Sequence, residues 1–192
     1  MADRRGFLST LAGGAALAAL PALSLGCGKP TTAPGAGGSD RPVSDLTLLN
    51  GALDLEHTAV FAYGLAGGSG LLSKGALAVG GTFKTSHETH REALTAVIRS
   101  LGGSPVDAKA SYDLSAFELK TEVDVLRLAL FLEMKAARAY QAAIAKLQSR
   151  SLLDAAARIM GDEVSHAAIL RSVLGKAPVG FYGQIDEVGF DS

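Results

Sequence analysis

The chain has 192 residues, 48% of them hydrophobic, a formal net charge of −1 and one cysteine. That length supports one domain with a real core and argues against two. The charge pattern holds no basic stripe, which argues against nucleic acid as a partner, and a single cysteine excludes an internal disulfide.

Residues 1–27 read as a targeting segment. Arg4 and Arg5, followed by Phe7-Leu8, open an Ala/Gly/Leu run that ends near Gly26. A charged start, an apolar middle and a small-residue end describe a signal peptide, and the paired arginines resemble the twin-arginine export signal. A retained membrane anchor is the alternative, since the run approaches spanning length. Gly13-Gly14 and Pro21 make it a poor anchor. Cys27 closes the run. Leu23-Ser24-Leu25-Gly26-Cys27 resembles a bacterial lipoprotein box, with Ser24 as a departure, and implies lipidation of Cys27. The alternative is ordinary cleavage that leaves a free thiol. Residues 28–43 are rich in Gly, Pro, Thr and Ala and offer nothing to bury, so they read as a flexible tether.

Four helices are expected over residues 44–175. The first starts from Ser44, a good N-cap, and runs to Tyr63 with Gly64 as a stop. After a Gly-rich loop, the second is clear from Thr82 to Leu101, with 76–81 as a weak extension. The segment from Gly102 to Glu118 is too long for a tight helical hairpin and reads as a crossover between two helix pairs. The third helix starts at Ser115 or Thr121 and ends at Leu147. The fourth spans Leu152 to Leu174, ended by Gly175 and Pro178. Residues 176–192 form a tail with Phe181, Tyr182 and Phe190 as aromatic anchors. No strand pattern is present, so the fold class is all-α, an antiparallel four-helix bundle.

Each apolar stripe is interrupted by polar residues. Helix one reads Leu49, Ala52, Glu56, Ala59/Val60, Tyr63. Helix two reads Phe83, His87, His90, Leu94, Val97, Leu101. Helix three carries Glu133 between Leu130 and Ala137, and Tyr140 and Ile144 follow. Helix four carries Glu163 and His166 between Ile159 and Leu170, with Val173 beyond. Residues three apart share a helical face, so His87/His90 and Glu163/His166 each converge on one point. Three buried carboxylates without partners would cost several kcal/mol each, and two divalent cations would compensate them. Carboxylates on two helices and paired motifs on the other two make the layout of di-metal carboxylate bundles.

The run Leu48–His57, His87-Glu88-Thr89-His90-Arg91, Leu132-Glu133 and Glu163-Val164-Ser165-His166 together resemble the four helices of the ferritin-like superfamily. The closest resemblance is to an exported, desiccation-related branch. It implies metal ligation by Glu56, His87, His90, Glu133, Glu163 and His166. The cofactor is then a transition metal, iron first, with manganese or zinc as alternatives. His87 stands where that family carries glutamate, which puts ferroxidase activity and a two-metal count in question. Glu88 points off the stripe. Tyr63 and Tyr140 read as core packing, and His57 as a surface or supporting group. The partners implied are metal ions, the membrane through Cys27, and a homodimer rather than a closed shell. The competing reading is a metal-free tethered bundle serving stress protection or interaction.

Overall fold

Helix starts are written locally. Ser44 accepts from Thr47 N and opens α1 (Asp45–Gly68). Ser73 accepts from Ala76 N and opens α2 (Lys74–Ser100). Thr121 and Asp124 form a reciprocal capping box before α3 (Glu122–Ile144). Ser149 precedes α4 (Arg150–Val173) without a side-chain cap bond. The chain leaves α2 through Gly102 and α4 through Gly175, whose φ values of 76° and 71° suit glycine at a helix end. The computed structural model describes residues 44–178. The targeting segment, Cys27, the tether and residues 179–192 lie outside the described residues. Among those described, no helix is long and apolar enough to cross a membrane.

α1 packs mainly on α2 and α3 mainly on α4; α1–α3 and α2–α4 contacts close the ring. Side-chain pairs fix the directions. Glu56 meets Tyr140 and Tyr63 meets Glu133, so α1 and α3 are antiparallel. Phe83 stacks on His166 while His90 meets Asp162, so α2 and α4 are antiparallel too. Glu56 meets His87 and Tyr63 meets Phe83, so α1 and α2 are also antiparallel; α2 and α3 therefore run the same way, and residues 101–121 must travel the length of the bundle between them. They do so along α1. Asn50 bonds Ser104 O and Val106 N, His57 Nε2 lies 3.2 Å from Val106 O, and Lys109 pairs with Asp54 at 2.9 Å. Farther along, Leu114, Phe117 and Leu119 pack on Ala62, Leu128 and Leu132.

Apolar contacts hold the bundle on either side of its polar middle. One cluster centres on Leu53, Leu94, Ile98 and Tyr140, the other on Tyr63, Phe83, Leu130 and Leu170. Leu53, Ile98 and Leu130 are fully buried; burying such a side chain contributes roughly 1.5–3 kcal/mol. At the crossover's start, a Cβ on Gly103 would come 2.5 Å from Leu46 Cδ2, 3.1 Å from Ile98 Cγ2 and 3.2 Å from Ile98 O. The leucine tip can swing away; Ile98 cannot. Gly103→Ala is thus expected to cost about 1–3 kcal/mol, read as a lower urea midpoint.

The structure corrects several boundaries. Gly64 does not stop α1, which continues one turn to Gly68. α2 begins at Lys74, two turns before Thr82, because Ser73 caps it and Glu122 accepts from both Ser73 N and Ser73 Oγ. Ser115 is not a helix start; it forms a turn with Asp113. α3 ends at Ile144 rather than Leu147, and α4 starts at Arg150. The α2 stripe closes on buried Ile98, leaving Leu101 exposed, and Val173 is exposed on α4.

Candidate metal centre

Midway along the bundle, each helix turns one or two polar side chains inward. Glu133 and Glu163 are 0% exposed, and Glu56 and His87 are 1% exposed; His90 and His166 are also buried. His87 sits in the middle. Its Nδ1 is 2.8 Å from Glu56 Oε2 and 3.7 Å from Glu163 Oε1, and its Nε2 is 3.2 Å from Glu133 Oε1. His90 Nδ1 lies 3.2 Å from Glu163 Oε1 and 3.7 Å from Glu56 Oε2. His166 Nδ1 lies 3.2 Å from Glu133 Oε2. All six sequence-derived residues thus meet in two overlapping quartets: Glu56, His87, His90 and Glu163, and His87, Glu133, Glu163 and His166. Within each quartet, one ligand atom per residue falls within 4.8 Å of the rest.

These atoms suit a cation. Both carboxylate oxygens of Glu163 and Nδ1 of His90 are buried without a well-aligned hydrogen bond, although His90 Nδ1 and Glu163 Oε1 stand 3.2 Å apart. Leaving such a group unmet costs about 1–3 kcal/mol. A divalent cation bound by the quartets would satisfy all three at once. Nitrogen and carboxylate oxygen together suit zinc, iron, manganese or copper.

The ferritin-like domain family matches the chain over residues 44–176. The chain belongs to that family. A crystal structure of a conserved hypothetical protein from Mycobacterium tuberculosis has the same fold, with a TM-score of 0.64 at 24% identity, over 71% of this chain and 94% of that one. No curated protein matches in sequence.

In this ferritin-like bundle the cluster's electrostatics follow from crowding. Burial works to lower the His87 and His90 pKa values, yet the carboxylates around them raise both to about 10: Glu133 and Glu56 for His87, Glu163 and Glu56 for His90. Burial likewise works to raise Glu56 and Glu133. Bonds to His87 and His90 bring Glu56 below the ordinary carboxylate value, and those to His166 and His87 hold Glu133 far below it. For Glu163 burial wins: its carboxyl is pushed up to about 8 against the pull of His90, with neighbouring Glu133 adding to the rise.

Two tyrosines support the glutamates. Tyr140 Oη donates to Glu56 Oε1 at 2.5 Å, and Tyr63 Oη donates to Glu133 Oε1. Burial first, then the neighbouring carboxylate, raises both phenols well above 10, so they remain donors. The sequence alone reads them as core packing. Each stands seven residues after a glutamate on its own helix, and the antiparallel α1/α3 register brings it to the other helix's glutamate. Asp162 was also missed; its Oδ2 lies 3.1 Å from His90 Nε2, which leaves His90 Nδ1 facing the cluster. Glu88 is half-buried outside the cluster, bonded to Lys84 at 2.6 Å. His57 serves the crossover and not the cluster.

One end of the bundle holds an apolar cavity of about 520 Å³. Leu77, Val125, Leu126, Ile169 and Val173 line it, and Tyr63 and Phe83 are among its walls. Tyr63 touches Glu133, and Phe83 stacks on His166 with ring centroids 4.0 Å apart.

Proposed function

We propose that this chain is an exported ferritin-like protein of the desiccation-related kind. It binds one or two transition-metal ions in its bundle core and uses them to oxidise Fe(II) or remove peroxide. The observation that carries the metal reading is the pair of buried quartets, within which Glu163 Oε1 and Oε2 and His90 Nδ1 lack well-aligned hydrogen bonds. Glu56, His87, His90, Glu133, Glu163 and His166 would hold the metal, and Tyr63 and Tyr140 would fix the outer oxygens of Glu133 and Glu56. A bound redox metal would supply one-electron chemistry. The crossover shields the α1–α3 side from water, and the apolar cavity offers a small oxidant an approach to Tyr63 and Phe83.

One observation favours the metal-free reading. At pH 7 the bare cluster sets imidazolium at His87 and His90 against carboxylate at Glu56 and Glu133, with Glu163 held largely protonated. It therefore neutralises much of its own charge. The two readings part on equilibrium dialysis of the chelator-stripped chain against Fe(II), Mn(II) or Zn(II). One or two equivalents bound per chain is the expected result; none bound leaves the metal-free bundle.

Export rests on Arg4, Arg5 and Cys27. Arg4→Lys with Arg5→Lys should leave the protein in the cytoplasm on cell fractionation. Cys27→Ser should release it from the membrane. Unchanged membrane association of the Cys27→Ser protein would point to a retained apolar anchor.

A further inference from the structure

Ferritin-like bundles of the two-metal kind place a glutamate at the position His87 occupies. The two nitrogens of His87 face opposite halves of the cluster. Nδ1 is turned to Glu56 Oε2 and Glu163 Oε1, the group that also contains His90 Nδ1. Nε2 is turned to Glu133 Oε1, the group that also contains His166. The ring has little freedom to choose one side. It is 1% exposed, stacks on Tyr63 with centroids 5.5 Å apart, and meets His90 and His166 edge-on at 6.0 and 5.6 Å. Glu163 is the other residue common to both quartets.

Charge points the same way. Two dications bring four positive charges into a site screened from water. Glu56, Glu133 and Glu163 supply three negative ones when ionised. A site of this burial does not leave a whole charge uncompensated cheaply.

We infer that His87 is a bridging ligand: it binds one metal ion through Nδ1, with Glu56 and His90, and a second through Nε2, with Glu133 and His166, while Glu163 reaches both. The imidazolium of the bare cluster carries a proton on each ring nitrogen. Each nitrogen–metal bond would replace one N–H bond, so both protons would leave to solvent. The resulting imidazolate supplies the fourth negative charge. This inference rests on the metal-binding reading above.

Copper(II) alone is the probe, added to the purified chain carrying Cys27→Ser so that the lone thiol does not compete. Wild-type residues at the cluster should bind two coppers per chain. Their EPR intensity per copper should be severalfold below that of an isolated copper standard, because an imidazolate pairs the two spins. His87→Ala should bind one copper or fewer, at full intensity per copper. If His87→Ala fails to fold, His87→Glu serves instead: it keeps a negative bridge and should hold two coppers with an EPR signal unlike that of the parent. Two coppers at full intensity in the parent would overturn the bridge and leave metal binding standing. So would two coppers retained in His87→Ala, or identical EPR signals from His87→Glu and the parent. No copper bound in the parent would overturn the metal reading itself, and the bridge with it.

Discussion

Glu133→Ala is expected to strip transition metal from the chain while leaving four helices in place. Glu133 is fully buried and meets Tyr63, His87 and His166, so no solvent group is at hand to replace its carboxylate. Loss of a mere supporting hydrogen bond lowers metal affinity roughly 10–100-fold; loss of a ligand carboxylate should exceed that. Helicity should persist, because helix stability in proteins comes mostly from packed apolar faces, and both apolar clusters remain. What disappears is stabilisation by mass action, about 4 kcal/mol where free metal stands 1,000-fold above its dissociation constant. Glu88→Ala is the matched control. Its carboxylate bonds Lys84 on the outer side of α2, so bound metal should not change. Metal per chain and circular dichroism on both variants check the pair of outcomes.

The metal-free chain should lose stability as pH rises from about 6.5 towards 10. The folded-state pKa values of His87 and His90, about 10, stand above the ordinary 6.5, and that of Glu163, about 8, stands above 4.5. All three groups hold protons more tightly when folded. Their contribution is therefore fully present below the ordinary values and is lost as pH climbs through the raised ones. Glu56 and Glu133 behave oppositely: both are lowered, so their contribution is present above 4.5 and fades in acid. Thermal melts of chelator-treated protein should give their highest midpoint in mildly acidic buffer and fall steadily to pH 10. Metal takes nitrogen without its proton, so the loaded chain should melt higher and hold its midpoint better at alkaline pH. A metal-free midpoint that rises from pH 6.5 to 9 would contradict the charge assignment at His87 and His90.

Much of this arrangement is legible in the residues. A glutamate between leucines at helical spacing leaves its carboxylate nowhere to go but inward, and the same holds for His87 and His90 between Phe83 and Leu94. Those patterns are local, so four helices and all six clustered residues can be read directly. The rest depends on neighbours distant in sequence. Ala76-Leu77-Ala78-Val79-Gly80-Gly81 reads only as a weak extension of the helix because glycine weakens helix by about 1 kcal/mol against alanine. It is helical because Ser73 caps it and Glu122, from the start of α3, bonds Ser73. The Tyr63–Glu133 and Tyr140–Glu56 bonds require the antiparallel register of α1 on α3. Asn50 and His57 look like ordinary helix-surface residues until the crossover lies beside them.

The claim that the buried glutamates and histidines hold metal is tested most directly by diffraction from metal-loaded crystals of the chain, recorded at the absorption edge of the metal. The account predicts anomalous density inside the bundle, with Glu163 and at least one of His90 and His166 at bonding distances of about 2.0–2.2 Å. Density confined to the protein surface, or none at all under saturating metal, would contradict it.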